Sequence, residues 1–141
     1  MMKNMTFLAL AVTALFAIQH FRSPRFSAED MNPLIVQASD ASFRNEVASG
    51  GEWVLVDFWA PWCGPCLQLK PTFNALATDN AGRITFMAMN VDETRATAEF
   101  YNITGIPALV LLHNGTEVAR WTGPAPQNVL QQWLDGHVRG S

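Results

Sequence analysis

Residues 53–60, Trp-Val-Leu-Val-Asp-Phe-Trp-Ala, form a run of β-branched and aromatic residues without clean polar alternation, stopped by Pro61. Such a strand has two apolar faces and belongs in the middle of a sheet covered on both sides. Within six residues the pattern changes. Cys66, Leu69, Phe73 and Leu76 fall at steps of three, four and three, which is one face of a helix. A buried strand that runs directly into a helix marks an α/β chain, and the neighbouring segments agree.

Leu34 to Val36 reads as a short strand, followed by a helix that carries Phe43 and Val47 and is capped by Ser39 or Asp40. Ser49-Gly50-Gly51 ends that helix. Pro71 lies inside the helix that begins near Cys66 and removes its hydrogen bond to Leu67, so a kink is expected there. Ile84 to Val91 is another mostly apolar strand, and Asp92 or Thr94 is expected to cap a weak helix reaching Tyr101. Ala108–Leu112, Asn114-Gly115 and Glu117–Trp121 read as a β-hairpin. Pro126 opens a last helix with Val129, Leu130, Trp133 and Leu134 on one stripe. Alternating strands and helices followed by a hairpin predict an α/β fold with a mixed sheet.

The chain of 141 residues divides near position 30. Residues 1–28 read as a leader and residues 29–141 as one domain. Phe7 to Ile18 is apolar except for Thr13, with Lys3 before it and Arg22 and Ser23-Pro24 after it. Twelve residues are short for a span, which needs ~20, and suit a signal-peptide core. Leu15-Phe16-Ala17 and Phe26-Ser27-Ala28 are poor cleavage sites, so an uncleaved anchor over residues 5–21 is a second reading. Translation from Met31 is a third. The expected location is the cell envelope, periplasmic or membrane-anchored, if the leader is used, and the cytoplasm if it is not.

From Glu29 onward six basic residues face twelve acids. That balance excludes a basic nucleic-acid binder. No metal, nucleotide or flavin signature is present, so no cofactor is expected. His20, His113 and His137 are scattered without ligand spacing.

The two cysteines, Cys63 and Cys66, carry the chemistry. Residues three apart on a helix have Cβ atoms ~5–6 Å apart, within reach of a disulfide after small adjustment. The amides and dipole of the helix N-terminus favour a thiolate on Cys63, and Cys66, one turn inside, is placed to resolve a mixed disulfide. Pro65 stiffens the first turn and Gly64 admits a close partner chain. Two other readings compete. Half of a zinc site lacks its second pair of ligands, and a structural disulfide closing so short a loop would add little stability.

The stretch Val56-Asp57-Phe58-Trp59-Ala60-Pro61-Trp62-Cys63-Gly64-Pro65-Cys66, with Pro71 five beyond, resembles thioredoxin. Asn90-Val91-Asp92, Gly105-Ile106-Pro107, Asn114-Gly115 and Gly123 follow in the family's order. The resemblance covers about residues 34–138. It implies the thioredoxin fold, a central mixed β-sheet flanked by helices. A lowered thiol pKa and a reducing potential are known properties of that family and are not read from this chain.

The resemblance also assigns roles. Asp57, desolvated in an apolar strand, would have a raised pKa and take the proton from Cys66. By composition alone a strand-edge Asp facing water is the commoner case. Pro107 would be cis, and the backbone at Ile106 would pair with the substrate chain. Trp62, Ile106, Pro107 and Gly123, with Pro124, would form an apolar docking rim, while Trp59 packs in the core. The chain departs from the family where lysines are usual, with Leu67 after the second cysteine and Ala88 in the third strand, and where threonine is usual, with Ala108. Losing a cation near Asp57 predicts a still higher carboxyl pKa.

The function expected is a protein-disulfide reductase cycling Cys63 and Cys66. Its partners are disulfide-containing proteins and an electron-donor reductase, either a thioredoxin reductase or a membrane thiol carrier, and it works as a monomer. The alternatives are an envelope reductase dedicated to one pathway, such as cytochrome c maturation, and a thioredoxin-fold binding subunit that does not use its cysteines.

Overall fold

A computed structural model of the chain describes residues 30–138. The leader and its cleavage or anchoring lie outside the described residues. Among the described residues, five strands and four helices follow in the order expected from the sequence. They are β1 (Ile35–Gln37), α1 (Phe43–Ser49), β2 (Trp53–Trp59), α2 (Gly64–Asp79), β3 (Thr85–Asn90), α3 (Arg95–Phe100), β4 (Ala108–His113), β5 (Thr116–Thr122) and α4 (Gln127–His137).

The sheet order is β1-β3-β2-β4-β5. β2 pairs parallel with β3 and antiparallel with β4, which makes the sheet mixed and places the apolar strand at its centre. The hairpin turn has Asn114 at φ 49° and Gly115 at φ 80°, the left-handed pair that a two-residue turn requires.

Alternation along the strands divides the core in two. Leu55, Phe86, Ala88, Leu109 and Leu111 meet Leu69, Phe73 and Leu76 of α2 and Leu130 and Leu134 of α4. On the other face Val54, Val56, Phe58, Met87, Met89, Val110 and Leu112 pack with Tyr101, Phe43 and Val47. Covering both faces is what a strand such as β2 demands, and Leu55, Val56 and Phe58 are wholly buried. The helix ending at Ser49 stops on Gly50 and on Gly51, whose φ is +90°.

Two expected caps fall elsewhere. Ser39 Oγ accepts the Ser42 amide at 3.1 Å, in the turn that leads into α1. Asp40 does not cap α1. Its carboxylate crosses to α3 and accepts the amides of Ala96 and Thr97 at 3.2 and 2.9 Å, and the Thr97 hydroxyl at 2.6 Å. Asp92 is likewise engaged outside its own helix, because it binds Trp62. Thr94 occupies the α3 N-cap without a side-chain cap, and its hydroxyl donates to the Asn90 carbonyl instead.

Candidate active site

β2 ends at Trp59, and four residues later Cys63 is the N-cap residue of α2. Extended backbone at Cys63 (φ −87°, ψ 105°) turns its sulfur back over the helix start, where it accepts the Cys66 amide at 3.2 Å. Cys63 and Cys66 are joined as a disulfide, with their Cα atoms 5.2 Å apart. A sulfur that caps a helix N-terminus faces unpaired amides and the positive end of the dipole, which favour negative charge on it. Pro65 stands in the first turn of α2, where its missing amide costs no hydrogen bond.

The two sulfurs are not equivalent. Cys63 is 6 % exposed and Cys66 1 %. Ala60 and the two cysteines form a small cluster covered by Trp59, Val91 and Ile106. The Ile106 carbonyl oxygen lies 3.8 Å from Cys63 Sγ. The Ile106–Pro107 bond is cis. The Pro107 carbonyl accepts the Gly123 amide at 2.9 Å, and Gly123 has φ +88°, a conformation a glycine adopts readily. The end of β2, the residue after β3 and the loop before β4 therefore meet at the cysteine pair, and the turn after β5 is tied to that loop.

The surface around the disulfide differs in one respect from the expected rim. Pro107 is buried, packed into the structure behind Ile106. The apolar surface on offer is Trp62, 69 % exposed, with exposed Pro124 and half-buried Ile106 and Gly123. Trp62 is held in place, since its indole N–H donates to both carboxylate oxygens of Asp92 at 2.9 and 3.2 Å. Gly64 and Pro65 are exposed, and a Cβ at Gly64 would meet nothing within 4 Å, leaving that backbone open to an approaching chain.

Asp57 lies under α2, on the same sheet face as Leu55 and Ala88, and is 1 % exposed. Burial pushes its carboxyl above the ordinary carboxylate range, and an adjacent ammonium pulls it part of the way back. That ammonium corrects an expectation. With Ala88 on β3 the acid was expected to have no cation nearby. Lys70 of α2, wholly buried, reaches down from the helix and donates to Asp57 Oδ2 at 3.2 Å. Its Nζ also sits 3.8 Å from the centroid of the Trp59 ring. Trp59 is thus half-buried core, as expected, and a platform for that cation as well. Burial lowers the Lys70 pKa and the Asp57 charge opposes the shift.

Lys70 is absent from the sequence-derived set because a lysine beside an apolar stripe ordinarily trails its charge into water. A signal was available. It is the only lysine after Lys3, and it stands four residues from Cys66, on the face that is buried.

Comparison with known proteins agrees with this geometry. Residues 34–136 match the family model described as Thioredoxin. The chain is 36 % identical over 104 residues to the thioredoxin of Haemophilus influenzae, covering 74 % of this chain and 97 % of that one. It is 38 % identical over 102 residues to thioredoxin 2 of Chlorobaculum tepidum, covering 72 % and 94 %. It is 39 % identical over 104 residues to a thioredoxin of Staphylococcus aureus, covering 74 % and 98 %.

The chain belongs to the thioredoxin family.

It is a thiol–disulfide oxidoreductase with a redox-active cysteine pair, and its mixed five-stranded sheet flanked by helices is the thioredoxin fold. Thioredoxins act on disulfides and are paired with a reductase, so both kinds of partner follow at that level of detail.

Proposed function

We propose that the protein is a protein-disulfide reductase in which Cys63 is the nucleophile and Cys66 the resolving thiol. The observation that carries this assignment is the asymmetry of the pair. Cys63 is the more exposed sulfur, caps α2 and faces the Ile106 carbonyl, whereas Cys66 is inside the helix and buried.

The reduced protein starts with Cys63 as a thiolate, its proton lost to solvent, and Cys66 as a thiol. The Cys63 thiolate attacks one sulfur of a substrate disulfide, forming a mixed disulfide and expelling the other substrate sulfur, which takes up a proton. Cys66 gives its proton to Asp57 and attacks Cys63 Sγ, which breaks the mixed disulfide and expels the second substrate sulfur as a thiolate that takes up a proton from solvent. Two electrons have then passed to the substrate, and Cys63–Cys66 is the disulfide present in the structure. A donor dithiol protein must reduce it again. Trp62, Ile106 and Gly123, with the open backbone at Gly64 and Pro65, would receive the substrate chain, with Pro107 setting the loop behind them.

Trapping tests the assignment. Reduced Cys66→Ser, mixed with a disulfide protein such as insulin, is expected to accumulate a covalent adduct visible on a non-reducing gel. Cys63→Ser is expected to give none, and an adduct formed through Cys66 instead would reverse the roles.

A second reading concerns place. The apolar run Phe7–Ile18 favours an envelope reductase, with a membrane thiol carrier as donor, over a cytoplasmic one. Among the described residues no helix is long and apolar enough to cross a membrane, so anchoring would rest on the leader. An alkaline-phosphatase fusion after Arg139 is expected to be active. A fusion that is inactive while the matching fluorescent-protein fusion glows would place the domain inside the cell.

A further inference from the structure

We infer that Arg120 and Glu117 of β5 are positioning residues, which hold the loop carrying Ile106 where a substrate chain docks. This rests on the reading of Ile106 as part of the docking surface. The loop runs from Asn102 to Pro107, between α3 and β4. It is tied to β5 at both ends. At its far end the Pro107 carbonyl accepts the amide of Gly123, the residue after β5, at 2.9 Å. At its near end the Arg120 guanidinium donates from Nη2 to the Tyr101 carbonyl at 2.6 Å and reaches the Asn102 carbonyl with Nη1 at 3.5 Å. Between the two ties the Ile106 carbonyl faces Cys63 Sγ at 3.8 Å.

An irregularity in β5 makes the near tie possible. Residues three apart on a regular strand point to opposite faces, so Glu117 and Arg120 would not meet. Here Ala119 stands opposite Leu111 and Glu117 opposite Leu112, which leaves Val118 as an extra residue in the strand. That bulge turns Glu117 onto the face of Arg120. Their partners on β4, Leu112 and Val110, both belong to the apolar layer that contains Tyr101. The Glu117 carboxylate then grips the guanidinium twice, accepting from Nε at 2.8 Å and from Nη2 at 2.9 Å. A planar fork held along one edge presents its other edge in one direction, here toward the end of α3. The carbonyls it meets there need a donor, because a helix leaves its last carbonyls without amide partners. Asn102 is left-handed at φ 50° and the Ile103 amide returns to the Ala98 carbonyl at 2.9 Å, so the chain turns into the loop at the point that Arg120 holds.

The consequence is local. Both side chains are 32 % exposed, and an ion pair so open to solvent adds little to the stability of the fold. Arg120→Met keeps the apolar stem and removes the near tie. The loop then spends less time in the docking position, and a substrate chain must restore it on binding. KM for a protein disulfide is expected to rise about three- to tenfold with kcat unchanged. A small aromatic disulfide lays no chain on the loop and is expected to be reduced at the wild-type rate. Glu117→Met leaves Arg120 in place without its grip, and KM is expected to rise in the same direction by a smaller factor.

The experiment measures insulin reduction by the full chain, with dithiothreitol regenerating the dithiol, for wild type, Arg120→Met and Glu117→Met. The small disulfide is assayed in parallel. Amide exchange of the oxidised protein, which needs no activity, is followed at Ile103 and in β4. Exchange at Ile103 is expected to speed up in Arg120→Met while the β4 amides keep their wild-type rates. Unchanged exchange at Ile103 overturns the positioning role and leaves the docking reading standing. Faster exchange with a wild-type KM means that substrates do not use the loop, so the docking reading fails and the inference falls with it. Equal losses on insulin and on the small disulfide place the effect at the cysteine pair, which overturns a role in docking. A wild-type KM in Glu117→Met overturns the part given to the bulge.

Discussion

Trp62 shows how one exposed side chain is given a fixed job. A tryptophan 69 % exposed would ordinarily sample several rotamers, but both Asp92 oxygens hold its indole N–H. A charge-assisted bond at the surface is worth about 0.5–1 kcal/mol once solvent screening is counted. Asp92→Ala is therefore expected to raise KM for a protein disulfide by roughly two- to fivefold. A small aromatic disulfide, which has no chain to dock, should be reduced at the wild-type rate by the same variant. Equal losses on both substrates would mean that Asp92 acts on the chemistry and not on docking. The sequence exposes residues of this kind unevenly. Cys63, Cys66 and Trp62 are legible because their spacing and the strand end before them leave few other uses. Lys70 is not, because whether a lysine swims or is buried depends on what lies under its helix. The register of β2 against β3 sets Ala88 beside Asp57, and only the fold shows that Lys70 reaches the same carboxyl from α2.

Elements were easier to read than their ends. β2 announces itself by apolar faces on both sides, and the hairpin by Asn114-Gly115, because both signals are local. Asp40 was expected to cap α1 for the same reason, since a capping residue is ordinarily a few positions from the amides it serves. Instead it serves α3, 56 residues away, and so joins the segment before α1 to a helix of only six residues. Such a short helix has little stability of its own. Asp40→Ala is expected to cost about 0.5–2 kcal/mol, toward the lower end because the carboxylate is exposed, with amide exchange accelerated first in α3. The pH dependence has a definite sign. Hydrogen bonds from Thr97, first through its hydroxyl, hold the Asp40 pKa below the usual carboxylate value. Its contribution is therefore present above the unfolded-state pKa and is lost as pH falls through the lower folded one. Urea midpoints of wild type and Asp40→Ala should converge in that acid range. Midpoints that stay apart there would show that the side chain acts by packing.

At the scale of the whole molecule, the redox pair and the fold are separable. Both apolar layers are built from strand residues and from Leu69, Phe73, Leu76, Leu130, Leu134, Phe43 and Val47, and neither layer contains a cysteine. The disulfide closes a loop of sequence separation three at one edge of this core. On chain-entropy grounds so small a loop contributes at most about 2 kcal/mol. The Cys63→Ser/Cys66→Ser double variant is therefore expected to keep the circular-dichroism spectrum of the parent. It should unfold in urea with an unchanged slope and a midpoint only modestly below that of the oxidised protein. Disulfide reduction should vanish in the same preparation. That combination also tests whether the cellular role of this oxidoreductase runs through its sulfurs. A folded double variant that fails to restore the cellular phenotype means that the protein acts through its sulfurs, as an enzyme. One that restores it means that partners use the surface around Trp62 and Ile106 without electron transfer. A large fall in stability would contradict the separation itself, because it would make the cysteine pair part of what holds the sheet and its helices together.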